Sequence, residues 1–131
     1  MKEATQITFE ICTLIEKWVP RLTSLSEQSI TEPRNNRLRN IKQIPGHLID
    51  STSNNTHRVV HLQYQKSPFS FPNYATFGNN DRWIAIQNYE VADWNNMIQL
   101  WKYSLLHLCH VINNVNDENW KMSGFQVPKK I

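Results

Sequence analysis

From Thr5 to Ser29 the apolar residues Ile7, Ile11, Leu14, Ile15, Trp18, Leu22 and Leu25 recur every three or four positions. That spacing marks a helix with one buried face, so the pattern predicts a first helix over 5–29. Pro20 falls inside it, removes one backbone donor and predicts a kink, or a split near Val19. Pro33 and two asparagines then interrupt the pattern, which predicts a connecting loop over 31–39. Asn40 is suited to cap a second helix, and Gln43, three residues on, completes a capping box. This helix is expected to run to about Gln65, with Pro45 and Gly46 tolerated in its first turns, where Pro has little bonding to lose. Ile44, Leu48, Ser51, Asn55, Val59 and Leu62 trace one stripe along it, apolar at both ends and polar in the middle. A polar patch therefore interrupts a core face.

The stretch Ser67 to Asp81 combines Pro68, Pro72 and Gly78 with Phe69, Phe71, Tyr74 and Phe77, which predicts a long loop pinned by aromatic burial and able to wall a pocket. A short helix is expected over 82–88. Asp93 then caps a third long helix, in which Val91, Trp94, Ile98, Trp101, Leu105, Leu108, Ile112 and Val115 alternate spacings of three and four without a miss. Asn116, Asp117 and Glu118 end it, and Gly124 and Pro128 mark an irregular tail. Three amphipathic helices without an alternating strand pattern predict an all-α fold, an antiparallel up-down bundle forming one domain over 1–131. Such a bundle ordinarily uses a fourth helix. Without one, either three helices suffice, or a partner covers the seam of Trp94, Ile98, Trp101 and Leu105, or the sequence is an incomplete version of something longer; a homodimer is the expected form.

Composition agrees with a folded chain: of 131 residues 40% are hydrophobic, 11% aromatic and 19% charged, enough apolar surface to offset chain entropy. The net charge of +3 includes a run at Arg34, Arg37, Arg39 and Lys42, read as a solvated loop. It lacks the interleaved aromatics of a nucleic-acid platform, and nucleic acid is not an expected partner. Cys12 and Cys109 are far apart in sequence on apolar helix faces, outside any C-x-x-C pair, and are expected to be buried and reduced. No apolar run is long enough for a membrane span, and the first residues lack a signal peptide's apolar stretch, so the expected address is the cytoplasm.

Histidine supplies the candidate chemistry. His57 and His61 are four apart and His107 and His110 three apart, so each pair shares a helix face, a spacing that metal sites use but that is common elsewhere. The residue types around them favour packing or surface roles. His47 stands at the mouth of the second helix, with Asp50 three residues on, able to orient its ring, and with Ser51, Asn54 and Asn55 continuing the polar side.

The stretch "IKQIPGHLIDSTSNNTHRVVHLQ", followed by "FPNYATFGNNDRWIAIQNYEVADWNNMIQLWKYSLLHLCHVINNVNDENW", resembles the DinB-like (DinB/YfiT) four-helix-bundle superfamily. The likeness lies in the "GHLIDS" second helix, the "F-P-x-Y" loop and the "D-W-x-x-M-x-x-L-W" third helix, and covers the chain from the first helix through Trp120. The resemblance implies a divalent metal, zinc or nickel, held by three histidines: one at the glycine-histidine start of the second helix and two in an H-x-x-x-H of the last. His47 matches the first, with Asp50 as a neighbour in its second shell. The last helix would begin beyond Lys130, so the other two ligands are expected to be absent from this chain, and one imidazole alone does not hold such a cation. His57 and His61 lie about 15 to 21 Å farther along the helix axis and cannot share the site of His47.

The function the resemblance implies is a metal-dependent transferase of the thiol S-transferase type, or a hydrolase, acting on a small-molecule substrate, or an inactive truncated form. In such enzymes the cation turns a protonated thiol or water into a strong nucleophile at neutral pH. A reading of a different class is a non-catalytic helical bundle that works through self-association.

Overall fold

A computed structural model describes residues 2–32, 40–65, 74, 78–116 and 118, and its regular elements are helical. Helix α1 spans Lys2–Thr23, a short α2 spans Glu27–Thr31, α3 spans Gln43–Leu62, α4 spans Asn79–Gln87, and α5 spans Trp94–Asn113. A single 3-10 turn, Tyr89–Val91, joins α4 to α5. The all-α expectation holds for the described residues.

The first helix is shorter than its apolar spacing predicts. Pro20 neither stops it nor splits it at Val19; α1 continues to Thr23. There the Thr23 hydroxyl donates to the Val19 and Pro20 carbonyls, and that of Ser24 to the Arg21 carbonyl. These side chains compete with the backbone and close the helix. Ser26 then caps α2 by accepting from the Ser29 amide. The capping box forms as the residues dictate: Gln43 N–H donates to Asn40 Oδ1 at 2.9 Å, and Asn40 N–H to Gln43 Oε1 at 3.1 Å. Asp93 caps α5 by accepting from the Asn96 amide.

Helix α5 is the axis of the molecule and packs along both α1 and α3. Ile98, Leu108 and Ile112 are at most 1% exposed, Leu105 and Trp101 nearly so, and only Val91 of the predicted stripe stands out in solvent. Each such aliphatic side chain contributes about 1.5–3 kcal/mol by leaving water. The seam of Trp94, Ile98, Trp101 and Leu105 is thus largely buried within the chain, against α1 and α3.

Two core clusters fix the directions. Ile49 joins Met97, Trp101 and residues of mid-α1, while Val59 joins Ala4, Leu108, Ile112 and Val115. The Trp94 indole N–H donates to the Leu22 carbonyl at 2.7 Å, and the Lys42 ammonium to the Glu90 carbonyl at 2.8 Å. Helix α1 therefore runs antiparallel to α5, whereas α3 runs in the same direction as α5. This corrects the strictly antiparallel up-down reading. Residues 63–93 form a connection long enough to return the chain to the starting end, where a short loop would have forced reversal.

The faces also differ from the predicted ones. On α1 the buried line is Ala4, Ile11 and Ile15, while Leu14 is 49% and Trp18 39% exposed. On α3 the buried residues are Pro45, Gly46, Ile49, Asp50, Thr52 and Val59, a face rotated from the predicted stripe and carrying its own polar groups. Lys42, read as part of a solvated basic run, is buried and bonded to Glu90. Arg34, Arg37 and Arg39 lie outside the described residues, as do Phe69, Phe71, Phe77 and the tail beyond Glu118. No helix among the described residues is long and apolar enough to cross a membrane.

Candidate functional site

Asp50 sits on the second turn of α3, 1% exposed. Its Oδ1 accepts from the Tyr89 hydroxyl at 2.5 Å and from the Gln87 amide at 2.6 Å. Its Oδ2 is buried with no hydrogen-bond partner. Burial pushes the carboxyl above its ordinary range, and the Tyr89 hydroxyl, the Gln87 amide, His47 and Tyr74 pull it only partly back. Tyr89 answers in kind. Burial first, then Asp50, raises its hydroxyl, which stays protonated and donating at every physiological pH.

Tyr89 reaches Asp50 because Gly46 leaves room. A Cβ at position 46 would lie 2.7 Å from Tyr89 Cγ and 2.8 Å from Cε2, closer than carbon atoms tolerate. The glycine that precedes His47 is thus needed by the ring packed on α3, at an ordinary helical backbone. His47 itself is half-buried. Its Nδ1 pairs with the Tyr74 hydroxyl at 2.9 Å, and the two rings stack with centroids 5.8 Å apart and planes 22° from parallel. The Trp83 ring of α4 meets Tyr74 edge-on at 5.4 Å. The cluster is therefore built from the start of α3, from α4 and the 3-10 turn, and from Tyr74 between α3 and α4.

Sequence reasoning placed His47 and Asp50 together, and they are neighbours in one cluster. It missed Gln87 and Tyr89, which are thirty-seven and thirty-nine positions away from Asp50. The one local signal was Gly46, a missing side chain on a helix where another ring had to fit.

The other histidines are dispersed. His57 is exposed, and His61 pairs through Nδ1 with the Tyr64 hydroxyl at 2.8 Å. His107 and His110 stack with ring centroids 6.4 Å apart, both exposed rather than packed beside the seam. No group of three or more His, Cys, Asp or Glu side chains is gathered for a metal among the described residues. Cys12 and Cys109 are both free thiols, Cys109 buried and Cys12 half-buried. Burial, with the Cys12 thiol nearby, pushes that of Cys109 up to about 11, so it is protonated and inert at neutral pH.

Comparison of the chain with family models, with curated proteins and with solved structures gives no match.

Proposed function

We propose that this is a DinB-like protein whose cluster around His47 is the working end of a divalent-metal-dependent transferase of the thiol S-transferase type, or of a hydrolase. The observation that carries the reading is the orphaned Oδ2 of Asp50, a buried carboxylate oxygen beside an oriented imidazole. A buried carboxyl oxygen without a hydrogen-bond partner is costly, and such atoms call for an explanation, a role in a site among them.

The donor set fits a borderline divalent cation in type. Imidazole nitrogen and carboxylate oxygen are ligands of zinc and nickel, and here they are His47 and Asp50. With Nδ1 engaged by Tyr74, coordination by His47 would use Nε2, and Tyr74 would fix the ring's orientation. When bound, the cation supplies a Lewis acid that lowers the pKa of a thiol or water. This chain's residues supply the rest: Tyr89 and Gln87 hold Asp50 in place, and the protonated Tyr89 hydroxyl keeps one carboxylate oxygen occupied. The Tyr74 ring stacks on one side of His47, and Trp83 packs edge-on against Tyr74. No third His, Cys, Asp or Glu side chain joins these two donors among the described residues.

The test is elemental analysis of untagged protein after exposure to zinc or nickel and removal of the excess. The parent is expected to retain stoichiometric metal and His47→Ala to lose it, with affinity reduced at least about tenfold. A parent chain that retains none, or a variant that retains all of it, removes the reading.

A further inference from the structure

Helices α1 and α3 both lean on α5, and toward one end they leave a cleft of about 480 Å³ between them. Leu14 and Trp18 of α1, Ile44 and Leu48 of α3, and Trp101 at the base line it with almost wholly apolar surface. Leu14 and Trp18 also stand out at its rim, 49% and 39% exposed. An open apolar cleft bordered by an exposed tryptophan is a surface that calls for an occupant.

The charges beside it say which. At 100° per residue, Glu3, Glu10, Leu14, Lys17, Trp18 and Arg21 fall within an arc of about 100° on α1. Both carboxylates precede Leu14 and both cations follow it. The Lys17 ammonium lies 5.2 Å and the Arg21 guanidinium 5.4 Å from the centre of the Trp18 ring, so the cations gather on the aromatic rim of the cleft. A stripe that is acidic at one end, apolar in the middle and basic at the other complements itself when turned end for end.

The geometry points to a second copy of this chain as the occupant, docked by a two-fold axis near Leu14 with the two α1 helices antiparallel. Glu3 and Glu10 of one copy then face Lys17 and Arg21 of the other, twice over, and Leu14 and Trp18 of the two copies meet about the axis, where the adjoining ends of the two clefts lie. The contact is isologous and closes at two, so no filament follows. Buried apolar rims supply affinity, and the four charges set orientation and reject the parallel arrangement. This inference does not involve His47 and stands or falls apart from the metal reading.

The experiment is sedimentation velocity and light scattering on the intact chain from micromolar to millimolar concentration, with circular dichroism checking that each variant keeps its helices. The parent is expected at twice the chain mass, and Leu14→Glu at the single mass. Two charge variants decide the register. Glu3→Lys with Glu10→Lys makes the stripe wholly basic, and Lys17→Glu with Arg21→Glu makes it wholly acidic. Each alone is expected to weaken dimerisation about tenfold or more, and an equimolar mixture to restore it as a heterodimer. A parent that stays monomeric overturns the proposal, even if its cleft takes up the apolar probe 1-anilinonaphthalene-8-sulfonate, since the cleft is then a small-molecule pocket. A dimer indifferent to Leu14→Glu and to both charge variants overturns it equally.

Discussion

Asp50 is costly to bury, and its cost depends on pH. In the unfolded chain its carboxyl titrates near 3.8; in the folded protein burial raises that value. Below the ordinary value both states are protonated and nothing is lost. As pH climbs through the raised folded value, the unfolded chain has already released its proton while the fold resists doing so, and stability falls. Asp50→Asn removes the titration yet keeps an oxygen for Tyr89 and Gln87. Thermal unfolding of the two proteins across a pH series should show the variant more stable at neutral pH, the gap closing below the ordinary carboxyl range. A gap that widens on acidification would mean that Asp50 is stabilised as an anion. Gly46→Ala tests the neighbouring packing: the new methyl collides with the Tyr89 ring, and overpacking of this kind costs about 1–3 kcal/mol in denaturant unfolding. An alanine variant of parental stability would show that the ring is not fixed there. At this scale the sequence showed His47 and Asp50 but not their company, because Tyr89 and Gln87 belong to a turn and a helix whose approach to α3 is set by tertiary packing.

Among the elements, α5 was legible almost in full, since its partners α1 and α3 cover one continuous apolar stripe. The start of α3 was legible for a different reason: a capping box is local chemistry, two residues three positions apart satisfying each other. Asn40→Ala removes that acceptor and also the bond from Asn40 Nδ2 to Glu90 at 2.9 Å. It is expected to lower stability by about 1–2 kcal/mol, read as a drop in the urea midpoint with an unchanged slope. Gln43→Ala gives up one reciprocal bond and should cost less. The face of α3 was misjudged because hydropathy counts Asp50 and Thr52 as solvent-facing, whereas Thr52 is buried with its hydroxyl bonded to the Leu48 carbonyl and Asp50 is held by distant donors. On α1, Leu14 and Trp18 fit the period of a buried stripe, and the period alone cannot tell a face covered within the chain from one that borders an open cleft.

For the whole molecule, the shared direction of α3 and α5 was the feature least accessible from pattern. Periodicity reports which residues face inward, not which way a neighbouring helix points, and the return path lies in a stretch of weak pattern between Gln63 and Asp93. The arrangement also separates two responsibilities. The cluster of His47, Asp50, Tyr74, Gln87 and Tyr89 is assembled by α3, α4, the turn before α5 and Tyr74 between α3 and α4. Helix α1 grips only one flank of α5, with the Trp94–Leu22 bond at one end. Opening of α1 as a unit would be a foldon event in the sense of native-state hydrogen exchange. Amides in the middle of α1 are expected to exchange faster than those in the middle of α3 and α5 under mild denaturant, with the His47 ring resonances still native. Equal protection along all three would show a single cooperative block. A leaf that lifts without disturbing the polar cluster would let neighbouring molecules trade that leaf, so a chain of this design could exchange α1 between copies and keep both polar clusters intact throughout.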